Sequence, residues 1–206
     1  RASLERLPVY YRLLRELRAK GRASASCTHI GRQLHLDPTQ VRKDIAATGV
    51  VGKPRVGFDL KETLGAIESM LGWNNANEAV LVGAGNFGTA LAGYEGFARH
   101  GLKILAAFDA DPDRVGRLVH GVRVYPVEKL FDLIERLKVR IAVLTAPAEA
   151  AQDLADQLVL AGVRGLWNFT PARLEVPDGV VLENVDLSAS LAVLSSRVAE
   201  QLRRQP

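Results

Sequence analysis

The sequence predicts an α/β protein in two parts, an N-terminal winged helix-turn-helix followed by a C-terminal doubly wound parallel sheet of the Rossmann kind. Basic residues crowd into the first sixty positions, a glycine string of the form GxGxxG opens the second part, and strand and helix patterns alternate from there onward. Lys and Arg outnumber Asp and Glu by 12 to 5 in residues 1–60 and are outnumbered by 18 to 15 in the remainder. A chain charged so unevenly reads either as a polyanion-binding module joined to something else or as a fold with one solvated basic face.

After Pro8, the residues Tyr10, Leu13, Leu14 and Leu17 fall at i, i+3, i+4 and i+7, one face of an amphipathic helix that ends near Gly21. Arg12, Arg15 and Arg18 take its polar side. Ser26 is placed to cap a second short helix, with Ile30 and Leu34 one turn apart. Asp37-Pro38-Thr39-Gln40 starts a third: Asp37 caps it, Pro38 suits the first helical position, and Gln40 stands where a capping box wants Glu or Gln. Val41, Ile45 and Thr48 share the inner face of this helix, which turns Gln40, Arg42, Lys43, Ala46 and Ala47 outward.

Val50 to Phe58, punctuated by Gly52, Pro54 and Gly57, reads as a hairpin-like wing. An exposed Gln40, Arg42 and Lys43 at a helix N-terminus suits the major groove, Gln pairing with adenine and Arg or Lys with guanine or phosphate. Lys53 and Arg55 on the wing can hold phosphates or enter the minor groove. The plainer alternative is a three-helix bundle whose basic residues are merely solvated. Leu60, Leu64, Ile67, Met70 and Leu71 then make a connecting helix, and the turn-rich stretch 72–77 marks a boundary, giving a DNA-binding domain over 1–76 and a nucleotide-binding domain over 77–185.

In the second part, strands are expected at Ala79–Val82, Lys103–Phe108, Arg123–Tyr125, Ile141–Leu144, Gly165–Asn168 and Val180–Leu182. They are rich in Val, Ile, Leu and Ala on both faces, as a sheet covered by helices on both sides requires. Gly83-Ala84-Gly85-Asn86-Phe87-Gly88 lies between the first strand and a helix. There Gly83 permits a tight turn, Gly85 lets backbone approach a pyrophosphate, and Gly88 lets helix and strand pack closely, with the phosphates at the positive end of the helix. The second strand runs into Asp109, 21 positions after Gly88, where a ribose-binding acid is expected. Its carboxylate would accept from the ribose and repel a 2′-phosphate, which favours NAD(H) over NADP(H); the lesser reading is that Asp109 only starts a turn. The strand across the switch point ends at Thr145-Ala146-Pro147, which should approach the nicotinamide half.

Other classes are disfavoured. Neither a Ser-His-Asp arrangement nor an acid or base paired with a substrate-binding Arg is apparent, so no catalytic residue is assigned. The lone Cys27 and four scattered histidines give no metal site. No apolar run nears the ~20 residues of a membrane span and no signal segment opens the chain, so a cytoplasmic location is expected. Leu187, Leu191, Leu194, Val198 and Leu202 form an apolar stripe on a long terminal helix that either packs on its own domain or crosses to another subunit.

The winged helix, the glycine string, the terminal helix and Gln40-Val41-Arg42-Lys43-Asp44 together resemble the Rex family of redox-sensing transcriptional repressors over nearly the whole chain. Phe108-Asp109, Thr145-Ala146-Pro147, Asn168-Phe169-Thr170-Pro171 and Glu183-Asn184-Val185-Asp186 match as well. The resemblance implies a homodimer with swapped C-terminal helices, so that 186–206 is a dimerisation helix. It also implies an inverted-repeat operator and release from that DNA when NADH binds. It places Phe169 beside Thr145 and Pro147 near the nicotinamide, and makes Arg12, Tyr94 and Asp186 a polar switch between subunits. Ala47 and Thr48 stand where the family usually carries aromatics, and Arg55 and Phe58 where Gly and Tyr are usual. The competing class is an NAD-dependent enzyme or a CoA-binding protein with a basic helical appendage.

Overall fold

A computed structural model describes residues 2–73 and 77–204; Arg1, residues 74–76 of the expected linker, and the last two residues lie outside it. The chain divides into two compact units, 1–76 and 77–206.

The first unit opens with α1 (Ala2–Ala19), β1 (Ser24–Ala25), α2 (Cys27–Leu34) and α3 (Pro38–Ala46). It continues with β2 (Phe58–Asp59) and α4 (Leu60–Met70). Helix α1 starts ahead of the expected point and carries Pro8 inside it. Proline forfeits the bond to the carbonyl of Leu4, but Leu7 is fully buried and Ser3 and Arg6 are both bonded to Asp44, so the first turns are held by tertiary contacts. The two caps form as expected: Ser26 Oγ accepts from the amide of His29 at 3.1 Å, and Asp37 Oδ1 from Thr39 at 2.7 Å and Gln40 at 3.2 Å. Leu7, Tyr10, Leu14, Ile30, Val41, Ile45, Leu60 and Ile67 form the core of this unit.

The wing is a tight hairpin tip in which Lys53 and Gly57 exchange backbone bonds of 2.8 and 2.9 Å. Its return strand β2 pairs antiparallel with β1, Ser24 opposite Asp59 and Ala25 opposite Phe58. Nothing in the sequence marks β1 as its partner, because two residues carry no periodicity.

The second unit runs β3 (Asn77–Val82), α5 (Asn86–Ala92), α6 (Glu95–Arg99), β4 (Leu102–Asp109), β5 (Leu118–Val119), β6 (Val122–Pro126) and α7 (Leu130–Leu137). It closes with β7 (Ile141–Leu144), α8 (Ala148–Leu160), β8 (Gly165–Asn168), β9 (Val181–Asn184) and α9 (Leu187–Arg203). Six strands are parallel in the spatial order β6-β4-β3-β7-β8-β9, with the short β5 antiparallel on the outer edge of β6. In chain order those six read 3-2-1-4-5-6, the dinucleotide-binding arrangement, whose crevice lies at the carboxyl ends of β3 and β7. Successive residues of β3 alternate between the two faces: Val80 and Val82 pack among Leu130, Ile134 and Leu158, whereas Leu81 joins Ala107, Val124 and Val143.

Among the described residues, no residue of α9 is buried. Leu187, Leu191, Leu194, Val198 and Leu202 are 46–64% exposed, so of the two alternatives for this stripe the chain does not pack it on its own domain.

Candidate functional site

In the first unit, Arg42 and Lys43 are exposed on α3, and Lys53 and Arg55 on the wing tip. Arg55 holds φ at +64°, a left-handed conformation that a non-glycine residue adopts at some cost. Gln40 departs from expectation. It is half-buried, and its amide nitrogen donates to Asp44 Oδ1 at 2.9 Å instead of turning back to close a capping box.

The reason is Asp44, to which the sequence pattern assigns neither face and which the fold buries to 2% exposure. Its carboxylate accepts from Arg6 at 2.6 and 2.8 Å, from the Tyr10 hydroxyl at 2.7 Å and from Ser3 at 2.9 Å. The Arg6 hydrogen bonds hold the Asp44 carboxyl well below the usual carboxylate range, and burial pushes the Tyr10 hydroxyl up to about 12. A carboxylate with a depressed folded-state value stabilises the fold above the unfolded value of about 3.9 and loses that contribution as the pH falls further. Asp44→Ala is therefore expected to cost about 3 kcal/mol at neutral pH, because it strands buried donors. The gap in thermal unfolding between the variant and the wild type should shrink below about pH 4; a gap that persists undiminished to pH 2 would contradict the assignment.

In the second unit the switch point holds a cleft of about 660 Å³, lined by Gly83, Gly85, Asp109, Ala110, Asp111, Arg114, Thr145, Ala146 and Pro147. Val127, Ala150 and Leu154 form its apolar floor. The size and the mix of apolar wall with few polar groups suit a nucleotide. Gly83 has φ of +100°, and a Cβ there would lie 2.8 Å from the backbone of Thr145 and Ala146. A Cβ on Gly88 would lie 1.9 Å from the Gly83 carbonyl oxygen and 2.7 Å from Thr145 Oγ1. Gly83 and Gly88 thus let the loop, the start of α5 and the end of β7 pack with no side chain between them, while a Cβ on Gly85 would meet only Arg114 Nη1 among the described residues, at 3.4 Å. Together they make a cradle whose backbone is open to the cleft at Gly85, which is the fit a pyrophosphate needs.

Thr145 braces this cradle, its hydroxyl donating to the Gly83 carbonyl at 2.7 Å. Asp109 does likewise: 8% exposed, it accepts from the Ala84 amide at 2.7 Å, from the Asp111 amide at 2.9 Å and from Arg114 at 3.1 Å. The expected acid therefore stands at the cleft, and it also shapes the glycine loop. Phe87 and Phe169 meet outside the cleft with ring centroids 5.5 Å apart, and Asn86 is exposed beside them. Sequence reasoning missed Asp111, Arg114 and the floor residues; the only signal for Arg114 was its place five positions after Asp109.

Residues 74–172 match the family described as "CoA binding domain", and residues 1–46 match "Putative DNA-binding protein N-terminus". The redox-sensing transcriptional repressor Rex of Treponema denticola is 43% identical over 192 residues, covering 93% of this chain and 91% of its own. The chain belongs to the Rex family.

Among solved structures, the Rex-family repressor RSP in complex with β-NAD⁺ and operator DNA matches with a TM-score of 0.92 at 36% identity, covering 97% of this chain and 92% of its own. RSP in complex with β-NADH matches with 0.88 at 35%, covering 97% and 94%. Of the three residues that the Rex resemblance joins into a switch, Arg12 is exposed on α1. Tyr94 is exposed, its ring edge-on to Phe97 at 5.1 Å. Asp186 caps α9, accepting from the amides of Ser188 at 2.8 Å and Ala189 at 3.2 Å, and the Ser188 hydroxyl bond holds its carboxyl below the usual range. Among the described residues no hydrogen bond joins Tyr94 to Asp186 within one chain.

Asn168, buried between β8 and β9, donates to Asn184 Oδ1 at 2.8 Å and accepts from Thr170, which ties the Phe169 loop of this Rex chain to the strand that leads into α9. No helix among the described residues is long and apolar enough to cross a membrane.

Proposed function

We infer that this chain is a redox-sensing transcriptional repressor that binds operator DNA through its first unit, binds NAD(H) at the β3–β7 switch point, and releases the DNA when NADH is bound. What carries the reading is the combination, in one chain of Rex sequence, of an exposed cationic face on α3 and a glycine cradle closed by Asp109. Gly83, Gly85 and Gly88 hold the pyrophosphate, with Ala84, Asn86 and Phe87 completing the loop. Asp109 takes the adenosine ribose, Val127, Ala150 and Leu154 the adenine, and Thr145, Ala146, Pro147 and Phe169 border the nicotinamide. That border is apolar, so the neutral reduced ring enters it at lower cost than the oxidised cation. The chain works as a regulator and not as an enzyme, in the cytoplasm.

The bare stripe of α9 supports a homodimer in which the helix is covered by a second copy. Two α3 helices related by a two-fold axis then meet successive major grooves about 34 Å apart, which is why an inverted repeat is the matching operator. Arg12, Tyr94 and Asp186 complete their polar link only across subunits in this reading. A ligand moves an equilibrium only by its differential affinity for the two states, and the coupling is reciprocal. NADH is therefore expected to weaken binding to an inverted-repeat DNA by about 5- to 150-fold, and the same DNA to weaken NADH binding by the same factor. Both legs are measured by titrating one preparation with NADH and with NAD⁺; an NADH affinity indifferent to DNA would refute the sensor and favour the enzyme alternative.

A further inference from the structure

The ribose wall of the cleft carries a cation that the function above does not use. Arg114 Nη1 lies 3.1 Å from Asp109 Oδ2 and its Nε 3.2 Å from Asp111 Oδ2. The side chain is 43% exposed and lines the cleft, with Nη1 only 3.4 Å from where a Cβ on Gly85 would sit. Two carboxylates thus hold the partly exposed guanidinium beside the glycine loop, on the wall of the cleft.

Asp109 is itself nearly saturated. Oδ2 accepts from Ala84 and Arg114, and Oδ1 from Asp111. A carboxylate offers about four acceptor positions, so about one is left for a ribose hydroxyl. A hydroxyl bonded there stands roughly 2.7 Å from the carboxylate, while the guanidinium is 3.1 Å from the same group. A phosphate ester on that hydroxyl would share its carboxylate neighbour with Arg114, which lines the same cleft on a partly exposed side chain able to turn its planar guanidinium fork to phosphate oxygens.

We propose that Arg114 is a specificity-determining residue of the dinucleotide site, a phosphate-binding cation held in reserve by Asp109 and Asp111. The ligand class it recognises is an adenosine 2′-phosphate, as in NADP(H). The proposal rests on reading the cleft as the NAD(H) site. The refusal of NADP(H) is then a net effect, repulsion by Asp109 opposed by attraction to Arg114. Removing the cation should sharpen the refusal, and neutralising Asp109 should unmask the cation. A residue that merely props Asp109 has the opposite signature, because its loss would loosen the acid and blunt discrimination.

The test is calorimetric titration of the full chain with NADH and with NADPH, for wild type, Arg114→Met, Asp109→Asn and the double variant. Arg114→Met is expected to raise the NADPH dissociation constant about 10- to 100-fold, the worth of a charge-assisted bond, and that of NADH far less. Asp109→Asn, which keeps an acceptor for the Ala84 amide, should improve NADPH relative to NADH by a similar factor, and adding Arg114→Met should take that gain away. Should NADPH bind the wild type too weakly to titrate, the Asp109→Asn pair carries the comparison; should Asp109→Asn fail to fold, the Arg114→Met arm does. A cofactor ratio that Arg114→Met leaves unchanged or narrows overturns the proposal while leaving the NAD(H) reading in place. Wild type binding neither nucleotide overturns both.

Discussion

Replacing Arg42 and Lys43 together by alanine is expected to abolish operator binding. Both side chains are exposed on α3 and the caps of that helix are intact without them, so the substitution removes charge and hydrogen-bond donors but little packing. Each base or phosphate contact is worth roughly 1–3 kcal/mol, and a two-fold dimer loses four of them at once. Even about 1 kcal/mol apiece amounts to a loss near a thousandfold. The dependence of affinity on salt should flatten in parallel, since fewer counterions are released on binding. Fluorescence anisotropy on an inverted-repeat duplex measures the affinity, and NADH titration with thermal unfolding confirms that the second unit and the fold survive. An operator affinity that does not change would remove α3 from the DNA interface.

Gly88→Ala should produce the complementary protein, one that holds DNA and no longer responds to NADH. The new methyl meets the Gly83 carbonyl oxygen at 1.9 Å, and backbone cannot swing aside as a flexible side chain can. That contact joins the first turn of α5 to the end of β3, so the methyl forces the glycine loop between them to shift, and with it the proposed pyrophosphate site. Loss of NADH affinity by more than about 100-fold is expected, with a stability cost of about 1–3 kcal/mol, the usual cost of overpacking a dense site. DNA affinity without cofactor should stay within a few fold of wild type. Retained NADH binding in this variant would mean that the nucleotide lies elsewhere.

Much of this architecture was legible in the sequence because its signals are local. Ser26 and Asp37 announce helices within three residues of themselves, the glycine string sits where strand meets helix, and the spacing to Asp109 survives because the intervening helices and strand have ordinary lengths. What escaped depends on contacts between distant segments. Asp44 has no assigned face on α3 until Ser3, Arg6 and Tyr10, more than thirty positions earlier, close around it. Pro8 reads as a helix start because nothing nearby shows that Leu7 will be buried. Arg114 was invisible for the opposite reason: its two partners are near in sequence, but only the turn between Asp109 and Asp113 aims it at the cleft.

The anchoring of α3 has a mechanical consequence. One buried carboxylate gathers Arg6, Tyr10 and Ser3 from the first helix and Gln40 from α3, the Tyr10 bond fully buried and the others partly so. The two helices therefore behave as the arms of one lever with Asp44 as its rivet. Arg12 stands on the longer arm, one helical turn or so beyond the rivet, and Arg42 and Lys43 stand on the other. A torque applied at Arg12 would reach Arg42 and Lys43 with little slack, whereas a softened rivet would let the first arm turn while the second stayed still. A variant such as Asp44→Asn would then be a repressor with play in its linkage, sensing the cofactor fully and conveying only part of the message.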